Sequence, residues 1–494
     1  MKFLYSILIL TFFLSILIPF STINSQTFDG DWKCLYATVD VSGDPNSTGY
    51  NTPSVGVIKE NTFVALVTRL TNNTCYLVGY TNADSVNGRM GVYGYGTTEL
   101  AGVRQPWSSG FDQVEMQYAV DIEATKDSFV FVANNDFSSN ILVFKLSADS
   151  VISTDYRMAT NADSLWAIDV DGNGYVYVSS IKDTSSTPSE ILIYKGITSN
   201  SEGWGVTHDT APIATIVMPE PGEIRGITVN AQGTVLYVSL FNKDKVLCYT
   251  GNLTSGFTLN NGFNFTLTDA LIASSTAPVD PGPWGLNFME TKNILFVACA
   301  ASFSSPDGYE YSRIYALNPN TGVILDTIDC ALWNYTIFES YNTRQGGAFG
   351  TASGFASVYN MDFDENFNLY SQSFYGWTVD KWQFSGTLPT IPLTITGIVK
   401  DENTIPQQFN LAQNYPNPFN PATTIEFSLP QDADISLSVY SVTGELVTTL
   451  INNSYFTQGN YKLTFDASKL ASGNYIYVLT NNDLKLARKM SLIK

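Results

Sequence analysis

The chain has 494 residues and a formal net charge of −20, with 45 Asp and Glu against 25 Lys and Arg. Proteins hold nucleic acid chiefly by neutralising phosphates with basic side chains, so this charge argues against nucleic acid as a partner. The 28 Tyr, 30 Phe and 36 Gly, together with only 14% charged residues, are typical of an all-β protein. The length is enough for one large β-domain and a smaller one.

The N-terminus predicts a cleavable signal peptide over residues 1–25. Lys2 precedes an apolar run from Phe3 to Phe20, and small polar residues follow up to Ser25. The run is almost long enough to span a bilayer, so a membrane anchor is the alternative. Pro19 and the polar residues after it favour cleavage near Ser25. No later stretch is apolar enough to cross a membrane, so we expect no transmembrane anchor in the mature chain.

The five cysteines indicate neither a zinc site nor a redox site, because they are far apart and form no C-x-x-C pair. An oxidising compartment would permit two disulfides, Cys34–Cys75 and Cys299–Cys330. The equal alternative is that most cysteines are small buried residues on strands.

A repeated strand unit is the main internal feature of residues 26–387. Each copy has an aromatic residue or Arg, a small residue, an alternating strand, a tight polar turn and a second strand rich in Val, Tyr and Phe. The copies lie at 118–133, 166–179, 225–239, 284–298 and 359–373, with a degenerate copy at 55–67. Another short strand follows most copies, so each unit predicts a four-stranded antiparallel sheet.

Such sheets, repeated around a ring, cover their own edges, and the repeat therefore predicts a β-propeller over 26–387. Six blades fit best. Phe28–Asp40 either closes the ring with the last blade or begins a seventh. The segments GPWGLNF (282–288) and EIRGITVNAQGTVLYV (223–238) resemble the repeats of NHL-type and related six-bladed propellers. This resemblance implies a fold only, since propellers host both enzymes and binding proteins.

The C-terminal part predicts a second domain. Residues 388–408 contain three prolines and no blade pattern, which indicates a linker. Residues 409–494 alternate strands with turns at Gly444, Gly459 and Gly473 and end in a basic strand. This pattern predicts a small Ig-like β-sandwich.

The same segment resembles the type A C-terminal sorting domain of the type IX secretion system over all of 409–494. Gly444 matches the central turn of that family, Ser472, Gly473 and Tyr475 its penultimate hairpin, and Lys489 its basic end. Ser441 departs from it, because the family often has Asp or Asn there. The opening motif is reproduced by Asn414, Pro416, Asn417, Pro418, Phe419, Asn420 and Pro421.

The resemblance implies a bacterium of the Bacteroidota type and the type IX secretion machinery as the partner of 409–494. It further implies passage through the outer membrane, removal of the domain, and release or attachment to surface polysaccharide. The protein is thus expected to be extracellular or on the outer cell surface.

One repeat position predicts a ligand site at an end of the propeller channel. This position precedes the small residue of each copy and is occupied by Tyr118, Trp166, Arg225, Trp284 and Tyr359. Aromatic faces with one fixed cation suit sugars or acidic polysaccharide. The alternative is that these side chains pack between blades and hold the ring shut.

A second set of polar residues raises the question of a metal. Asp169, Asp171 and Asn173 match the first half of a calcium loop, although Ser180 replaces the usual Glu at the twelfth position. Calcium is therefore the one cofactor that the sequence suggests, and hairpin turns use the same residues for backbone reasons. A related column of polar residues is aligned in the first strands of the repeat. Such residues could hold a divalent ion or cap the hairpin turns, and they are Asp121, Asp169, Thr228, Asn287 and Asp362.

Signals for catalysis are otherwise few. His208 is the only histidine, and no Ser or Cys stands in a nucleophile-elbow context. The sequence therefore names no catalytic residue and favours a non-catalytic binding or surface-structural module for a glycan or protein ligand. A metal-dependent propeller enzyme, such as a lactonase, lyase or glycan hydrolase, is the alternative.

The export route generates the first testable prediction. The mature protein should lack both 1–25 and 409–494, because both segments resemble signals that are removed after use. Intact-mass measurement of protein from the culture medium or cell surface checks this. A mature product that still carries 409–494 would contradict the assignment of a removable sorting domain.

Overall fold

The computed structural model describes most of the chain after the predicted signal peptide; residues 1–25 and Tyr118 lie outside the described residues. The described ranges are 28–37, 50–69, 74–80, 89–94, 116, 119–135, 140–146, 151–160, 162, 164–182, 185–196, 209–253, 256–268, 281–301, 311–338, 343–345, 351–353, 356–374, 378–391, 396–401, 406–431, 433–456, 458–467, 470–481 and 484–494.

The first three sheets of the chain follow an N-terminal strand, β1 (Trp32–Ala37). The first sheet contains β2 (Tyr50–Lys59), β3 (Thr62–Arg69), β4 (Thr74–Tyr80) and β5 (Arg89–Gly94). The second contains β6 (Asp121–Ala124), β7 (Phe129–Ala133), β8 (Ile141–Leu146) and β9 (Val151–Thr160). The third contains β10 (Ile168–Val170), β11 (Val176–Ser180), β12 (Glu190–Tyr194) and β14 (Ala214–Val217). Between β12 and β14 lies β13 (Asp209–Thr210), which pairs with β9 and so belongs to the second sheet.

Three further sheets continue the pattern. The fourth contains β15 (Ile224–Val229), β16 (Val235–Leu240), a 3₁₀ turn (Phe241–Lys243), β17 (Lys245–Asn252), β18 (Gly256–Leu259) and β19 (Phe265–Thr266). The fifth contains β20 (Pro281–Met289), β21 (Ile294–Ala301), β22 (Ser312–Leu317) and β23 (Ile324–Asp329). Helix α1 (Cys330–Phe338) and a hairpin of β24 (Thr343–Gln345) and β25 (Thr351–Ser353) precede the sixth, which contains β26 (Val358–Phe363), β27 (Leu369–Ser373), β28 (Thr378–Phe384) and β1.

Within the described residues, these six sheets are arranged as the blades of a β-propeller. Their first strands contact one another in the order β2, β6, β10, β15, β20, β26 and back to β2, so they surround a central channel. Neighbouring sheets pack face to face: Tyr177 and Ile193 of the third sheet share one apolar cluster with Ile227 and Leu236 of the fourth. Packing on both faces explains why the second strands are apolar almost throughout, as in β16, where every residue is buried.

The N-terminal strand closes the ring. β1 pairs antiparallel with β28, as the outer strand of the sheet that the last propeller strands form. Phe28–Asp40 therefore takes the first of its two predicted roles in its described part, 28–37. A strand from one end of the chain paired with strands from the other end ties the two termini of the propeller together.

A buried lysine strengthens the same closure. Lys381, on β28, is 4% exposed, and its ammonium group lies 3.9 Å from the fully buried carboxylate of Asp364. It also lies 3.2 Å from Glu60 and donates to the amide oxygen of Asn61 at 2.7 Å. Glu60 and Asn61 form the first hairpin turn, so this network joins the last sheet to the first.

The cysteines are thiols in the structure, so the expectation of disulfides Cys34–Cys75 and Cys299–Cys330 was wrong. Cys299 packs with the core between the fourth and fifth sheets, whereas Cys330 belongs to the core between the fifth and sixth. Burial in apolar surroundings raises the pKa of the Cys248 thiol to about 12. The alternative interpretation, small buried residues on strands, accounts for three of the five, Cys75, Cys248 and Cys299, and Cys330 is fully buried at the start of α1.

The C-terminal part forms a β-sandwich. Its strands are β29 (Thr396–Asp401), β30 (Asn410–Leu411), β31 (Ala422–Leu429), β32 (Ala433–Ser441), β33 (Leu446–Phe456), β34 (Gly459–Asp466), β35 (Gly473–Thr480) and β36 (Lys485–Leu492). They make two sheets, in the orders β29-β34-β31-β30 and β33-β32-β35-β36, around one core that includes Ile425, Leu437, Leu463 and Leu479. Because β29 pairs with β34, the predicted linker 388–408 contains a strand of this domain. The strand is short and prolines lie near it, so the sequence does not reveal it.

The opening motif of this domain is built on buried contacts. Asn414 is 1% exposed; its backbone N–H donates to the Tyr477 hydroxyl at 2.7 Å, and its side-chain amide donates to Thr423 at 2.9 Å. Phe419 is buried, and its N–H donates to the carbonyl of Ser491 on β36. Gly444 adopts a φ of +85°, which only glycine adopts without strain in such a turn. Within the described residues, no helix has the length and apolar content of a membrane span.

The buried lysine gives a prediction for stability. Replacing Lys381 by Met should lower the free energy of unfolding by about 3–5 kcal/mol, because Asp364 is then left as a buried charge without its cation. Lys462→Met is the control, since Lys462 and Glu426 form an exposed ion pair worth about 0–1 kcal/mol. Urea unfolding of both variants measures the difference. Equal effects would show that the closure does not depend on Lys381.

Candidate functional site

Bulges at the start of the first strands re-aim a side chain in two of the blades, the fourth and the sixth. In the β15–β16 register Ile224 faces Leu240 and Gly226 faces Ser239, so Arg225 is the extra residue of a β-bulge. Tyr359 is the extra residue between Val358 and Asn360 in the same way. Such bulges re-aim side chains and are common beside functional sites.

The small residue after each bulge is required by the close approach of the next blade. A Cβ atom on Gly226 would lie 2.2 Å from the carbonyl oxygen of Trp284, and one on Gly285 would lie 2.5 Å from that of Tyr359. Ser239, on the second strand, donates to the same Trp284 oxygen at 2.7 Å. The aromatic-small pair of the repeat is therefore a bulge packed against its neighbour.

Four of the five predicted ligand residues meet in one group, the Arg–aromatic cluster, which consists of Trp166, Arg225, Trp284 and Tyr359. The guanidinium carbon of Arg225 lies 3.5 Å from the ring centroid of Trp166 and 4.9 Å from that of Trp284. The Trp284 and Tyr359 rings pack edge to face at 4.2 Å. The fifth residue, Tyr118, is outside the described residues.

Exposure differs within the cluster. Tyr359 is 2% exposed and so belongs to the core, whereas the two tryptophans are partly exposed. Arg225 forms an ion pair with Glu223, with 2.5 Å between Nη2 and the carboxylate. Its Nε and Nη1 are buried and have no hydrogen-bond partner in the part of the chain that the structure describes. Burial lowers the pKa of Arg225, and the charge of Glu223 opposes that effect.

Long connections enter the propeller at this end. β5 ends at Gly94 and β6 begins at Asp121, and β23 ends at Asp329 with β26 beginning at Val358. At the other end of the first strands the hairpin turns are short, for example between Lys59 and Thr62. Long connections on a rigid scaffold are where proteins place binding residues.

The hairpin register corrects the predicted polar column in one blade. Asp169 faces Tyr177 across its hairpin, and in the second sheet the residue that takes this position is Glu123, which faces Phe131. Asp121 lies two residues earlier, opposite Ala133. The extra two residues before the turn in 118–133 hid this shift in the sequence. The column is therefore Glu123, Asp169, Thr228, Asn287 and Asp362.

Most of this column joins each blade to the next. One carboxylate oxygen of Asp169 accepts from the backbone N–H of Val229 at 2.7 Å. Thr228 accepts from the N–H of Phe288 at 3.2 Å, and Asp362 accepts from that of Val57 at 2.6 Å.

Asp121, two residues before Glu123, also joins its blade to the next one. It accepts from the N–H of Ile168 at 3.0 Å, and its other oxygen accepts from Ser54 and Asn360 at 2.8 and 2.7 Å. These side chains therefore satisfy backbone donors of the next first strand, whose inner edge has no neighbouring strand.

The column also lines a cavity of about 990 Å³ at the hairpin-turn end of the channel. Burial raises the pKa of both Asp121 and Asp169 to about 7 and that of Asp362 to about 6. The carboxyl group of Glu123 has no hydrogen bond to a described residue, and burial together with the charges of Asp169 and Asp362 raises its pKa well above the ordinary value. Of these groups, Glu123, Asp169 and Asp362 line the cavity, and burial favours the protonated form of each.

The geometry of the calcium candidates is that of a turn. One oxygen of Asp171 accepts from the N–H groups of Asn173 and Tyr175, both at 2.9 Å. The two oxygens of Asp169 accept from the N–H groups of Val170 and Val229. Within the described ranges, no group of three or more His, Cys, Asp or Glu is arranged to hold a metal ion. Hydrogen bonds to backbone N–H groups therefore explain why Asp169 and Asp171 stand at this turn.

Two features of the site escaped sequence reasoning. Glu123 was hidden by the blade with two extra residues, although its partner Phe131 is aromatic like Tyr177. Glu223, the ion-pair partner of Arg225, lies two positions earlier on an entering segment, where no repeat position marks it.

Comparison with known proteins identifies the C-terminal domain. Residues 413–494 match the family model of a secretion system C-terminal sorting domain. This match indicates type IX secretion to the cell surface or the extracellular space. No curated protein matches the chain.

Several solved structures match parts of this chain at low identity. Hydrazine synthase of Kuenenia stuttgartiensis is 9% identical, with 74% of this chain and 98% of that chain covered and a TM-score of 0.39. The periplasmic gluconolactonase of Pseudomonas aeruginosa is 8% identical, with 84% and 88% covered and a TM-score of 0.35. An auxiliary nutrient binding protein of Bacteroides thetaiotaomicron is 13% identical, with 72% and 77% covered and a TM-score of 0.35. Similarities of this size carry no argument about activity.

The buried carboxyl groups predict how stability depends on pH. The pKa of Asp121 is raised from 3.8 to about 7 in the folded state, so folding favours its protonated form. The stability from this group is full below pH 3.8 and is lost as the pH rises through about 7. Asp121→Asn should therefore weaken the fall in the free energy of unfolding between about pH 5 and about pH 8.

Urea unfolding at the two pH values measures this effect, and Glu426→Gln, which changes an exposed acid of the sorting domain, is the control. An unchanged pH dependence in Asp121→Asn would mean that this carboxyl group titrates normally.

Proposed function

We propose that this secreted propeller acts outside the cell as a non-catalytic binding module and that it takes a glycan at the Arg–aromatic cluster. The observation that carries the proposal is the pair of partly exposed indole rings, Trp166 and Trp284, on either side of the buried guanidinium of Arg225. The C-terminal sorting domain brings the protein to a compartment where glycans are the abundant polymers of the cell surface.

Sugar rings have apolar C–H faces and polar edges, and such ligands suit a site with both aromatic faces and fixed donors. The Trp166 and Trp284 centroids are 6.2 Å apart, with ring planes at 80°. One indole therefore offers its face where the other offers its edge. The position of the cluster, at the end with the long connections, is a second support.

The two tryptophans have different local support, which helps to design the test. Trp166 is held by one hydrogen bond from its indole N–H to Ser164, at 3.1 Å. Trp284 also contacts Phe241 at 5.0 Å and Tyr359 at 4.2 Å. Trp166 is therefore less embedded in the core.

Trp166→Ala and Trp284→Ala should each weaken glycan binding by at least about tenfold, which corresponds to about 1.4 kcal/mol, because stacking area is lost. Trp166→Ala should leave the melting temperature within a few degrees of the unchanged protein, on the order of 1 kcal/mol. A glycan array followed by calorimetry on the full chain measures binding. Tyr335→Ala is the control, since Tyr335 is an exposed aromatic residue on α1.

One combination of results would contradict this proposal. If both variants lower the melting temperature by many degrees and glycan binding is unchanged, the rings act only as packing between blades, and the site is elsewhere.

A metal-independent or metal-dependent enzyme is the second candidate, and one observation favours it. Glu123 is a carboxyl group of raised pKa that faces the cavity near the charges of Asp169 and Asp362, as in sites for general acid–base chemistry. A screen for glycoside and lactone turnover, with and without calcium and a chelator, distinguishes the candidates. Turnover by the unchanged protein that is lost in Glu123→Gln would show that the protein is an enzyme and would overturn the proposal of a non-catalytic binding module.

A further inference from the structure

We propose that the ligand of the Arg–aromatic cluster is an acidic glycan and that Arg225 binds a carboxylate of it. This inference rests on the proposed function, because it names the class of glycan that the same site would take. The observation behind this inference is the hydrogen bonding of the Arg225 guanidinium group. Two of its three nitrogen atoms, Nε and Nη1, are buried and have no acceptor among the described residues.

Buried donors without an acceptor are unfavourable, and native proteins rarely keep them without a function. An arginine presents several N–H donors in a planar fork that matches a carboxylate better than a hydroxyl group. Glu223 takes only Nη2. The guanidinium therefore has room in its hydrogen bonding for one further carboxylate.

The ion pair with Glu223 makes the site responsive to an incoming acid. The carboxylate side chain of Glu223 is 27% exposed, against 13% for Arg225. A ligand carboxylate can accept from Nη1 or Nε while Glu223 stays in place, or it can displace Glu223 towards solvent. In either case Glu223 repels the ligand, so removing its charge should strengthen binding.

Access to the guanidinium requires a movement of Trp166. Its ring lies 3.5 Å from the guanidinium carbon, packs edge to face with Trp284 and makes one hydrogen bond, to Ser164. Rotation of this indole uncovers the arginine and gives the ring a sugar to stack on. Binding should therefore change the fluorescence of the protein, and this change should be lost in Trp166→Phe.

Neutral sugars have no carboxylate to accept hydrogen bonds from the Arg225 guanidinium. A site with buried donors rejects a ligand without the matching acceptor far more strongly than an apolar site rejects a small change of shape. The stacking on Trp166 and Trp284 would be the same for an acid and for its ester, so the carboxylate alone sets the preference.

The test compares each acidic oligosaccharide with its own methyl ester. Oligomers of galacturonate, glucuronate and mannuronate, acid and ester, are titrated into the full chain, with calorimetry and tryptophan fluorescence as readouts. We expect at least one acid to bind at least about tenfold more tightly than its ester. Arg225→Met should remove this preference, and Glu223→Gln should increase affinity for the acid severalfold.

Arg313→Met is the matched control, because Arg313 is also partly buried and paired with a carboxylate, Asp329, at 2.9 Å. It should keep the preference for the acid. If Arg225→Met does not fold, Arg225→Lys tests the same point, since a lysine keeps the charge and loses the fork.

Two failures can be told apart. Equal binding of every acid and its ester, with binding still lost in Trp166→Ala, overturns the carboxylate inference and leaves the glycan site in place. Absence of binding by all the oligosaccharides, together with no glycan-array signal that depends on Trp166 or Trp284, overturns both proposals.

Discussion

The first strand of each propeller sheet has an inner edge without a neighbouring strand, and its N–H groups must find acceptors elsewhere. The structure meets this constraint with side chains from the preceding blade. Asp169, Thr228 and Asp362 each accept from a backbone N–H of the next first strand. Unsatisfied buried donors are costly, so these contacts set both the spacing and the register of the ring. The carboxylates at the channel have a structural task before any chemical one.

This constraint separates the two ends of the channel. Near the hairpin turns the polar column bridges the blades, and its members are largely occupied by backbone donors. At the start of the first strands the edge is broken by bulges, and the side chains there are free from that task. Arg225 and Trp284 stand at or beside such bulges. A ligand site is therefore more easily accommodated at the end where the bridging contacts stop.

Much of the fold could be predicted from the sequence, because the strand alternation and the polar turns are local signals. The propeller and the C-terminal sandwich follow from such patterns, whereas the pattern left two roles open for the N-terminal strand, and its pairing with β28 decides between them. The position of Glu123 could not, because two extra residues before one turn shift the alignment of a repeat without changing its appearance. The Arg–aromatic cluster was visible as a column, but whether its members contact one another depends on bulges that no residue type encodes. The disulfide expectation failed for a related reason, since spacing along the chain does not say which sheets a cysteine lies between.

The acidity of the chain gives the candidate site its character. With a formal charge of −20, the protein repels an anionic polymer at long range, and salt screens that repulsion over about 8–10 Å. The guanidinium of Arg225 is mostly shielded from solvent between two indole rings, so salt screens its attraction much less. Selectivity for an acidic sugar must therefore come from contact rather than from the overall field. A site of this kind admits only ligands whose carboxylate reaches the guanidinium, and the charge of the surrounding surface disfavours anions that do not.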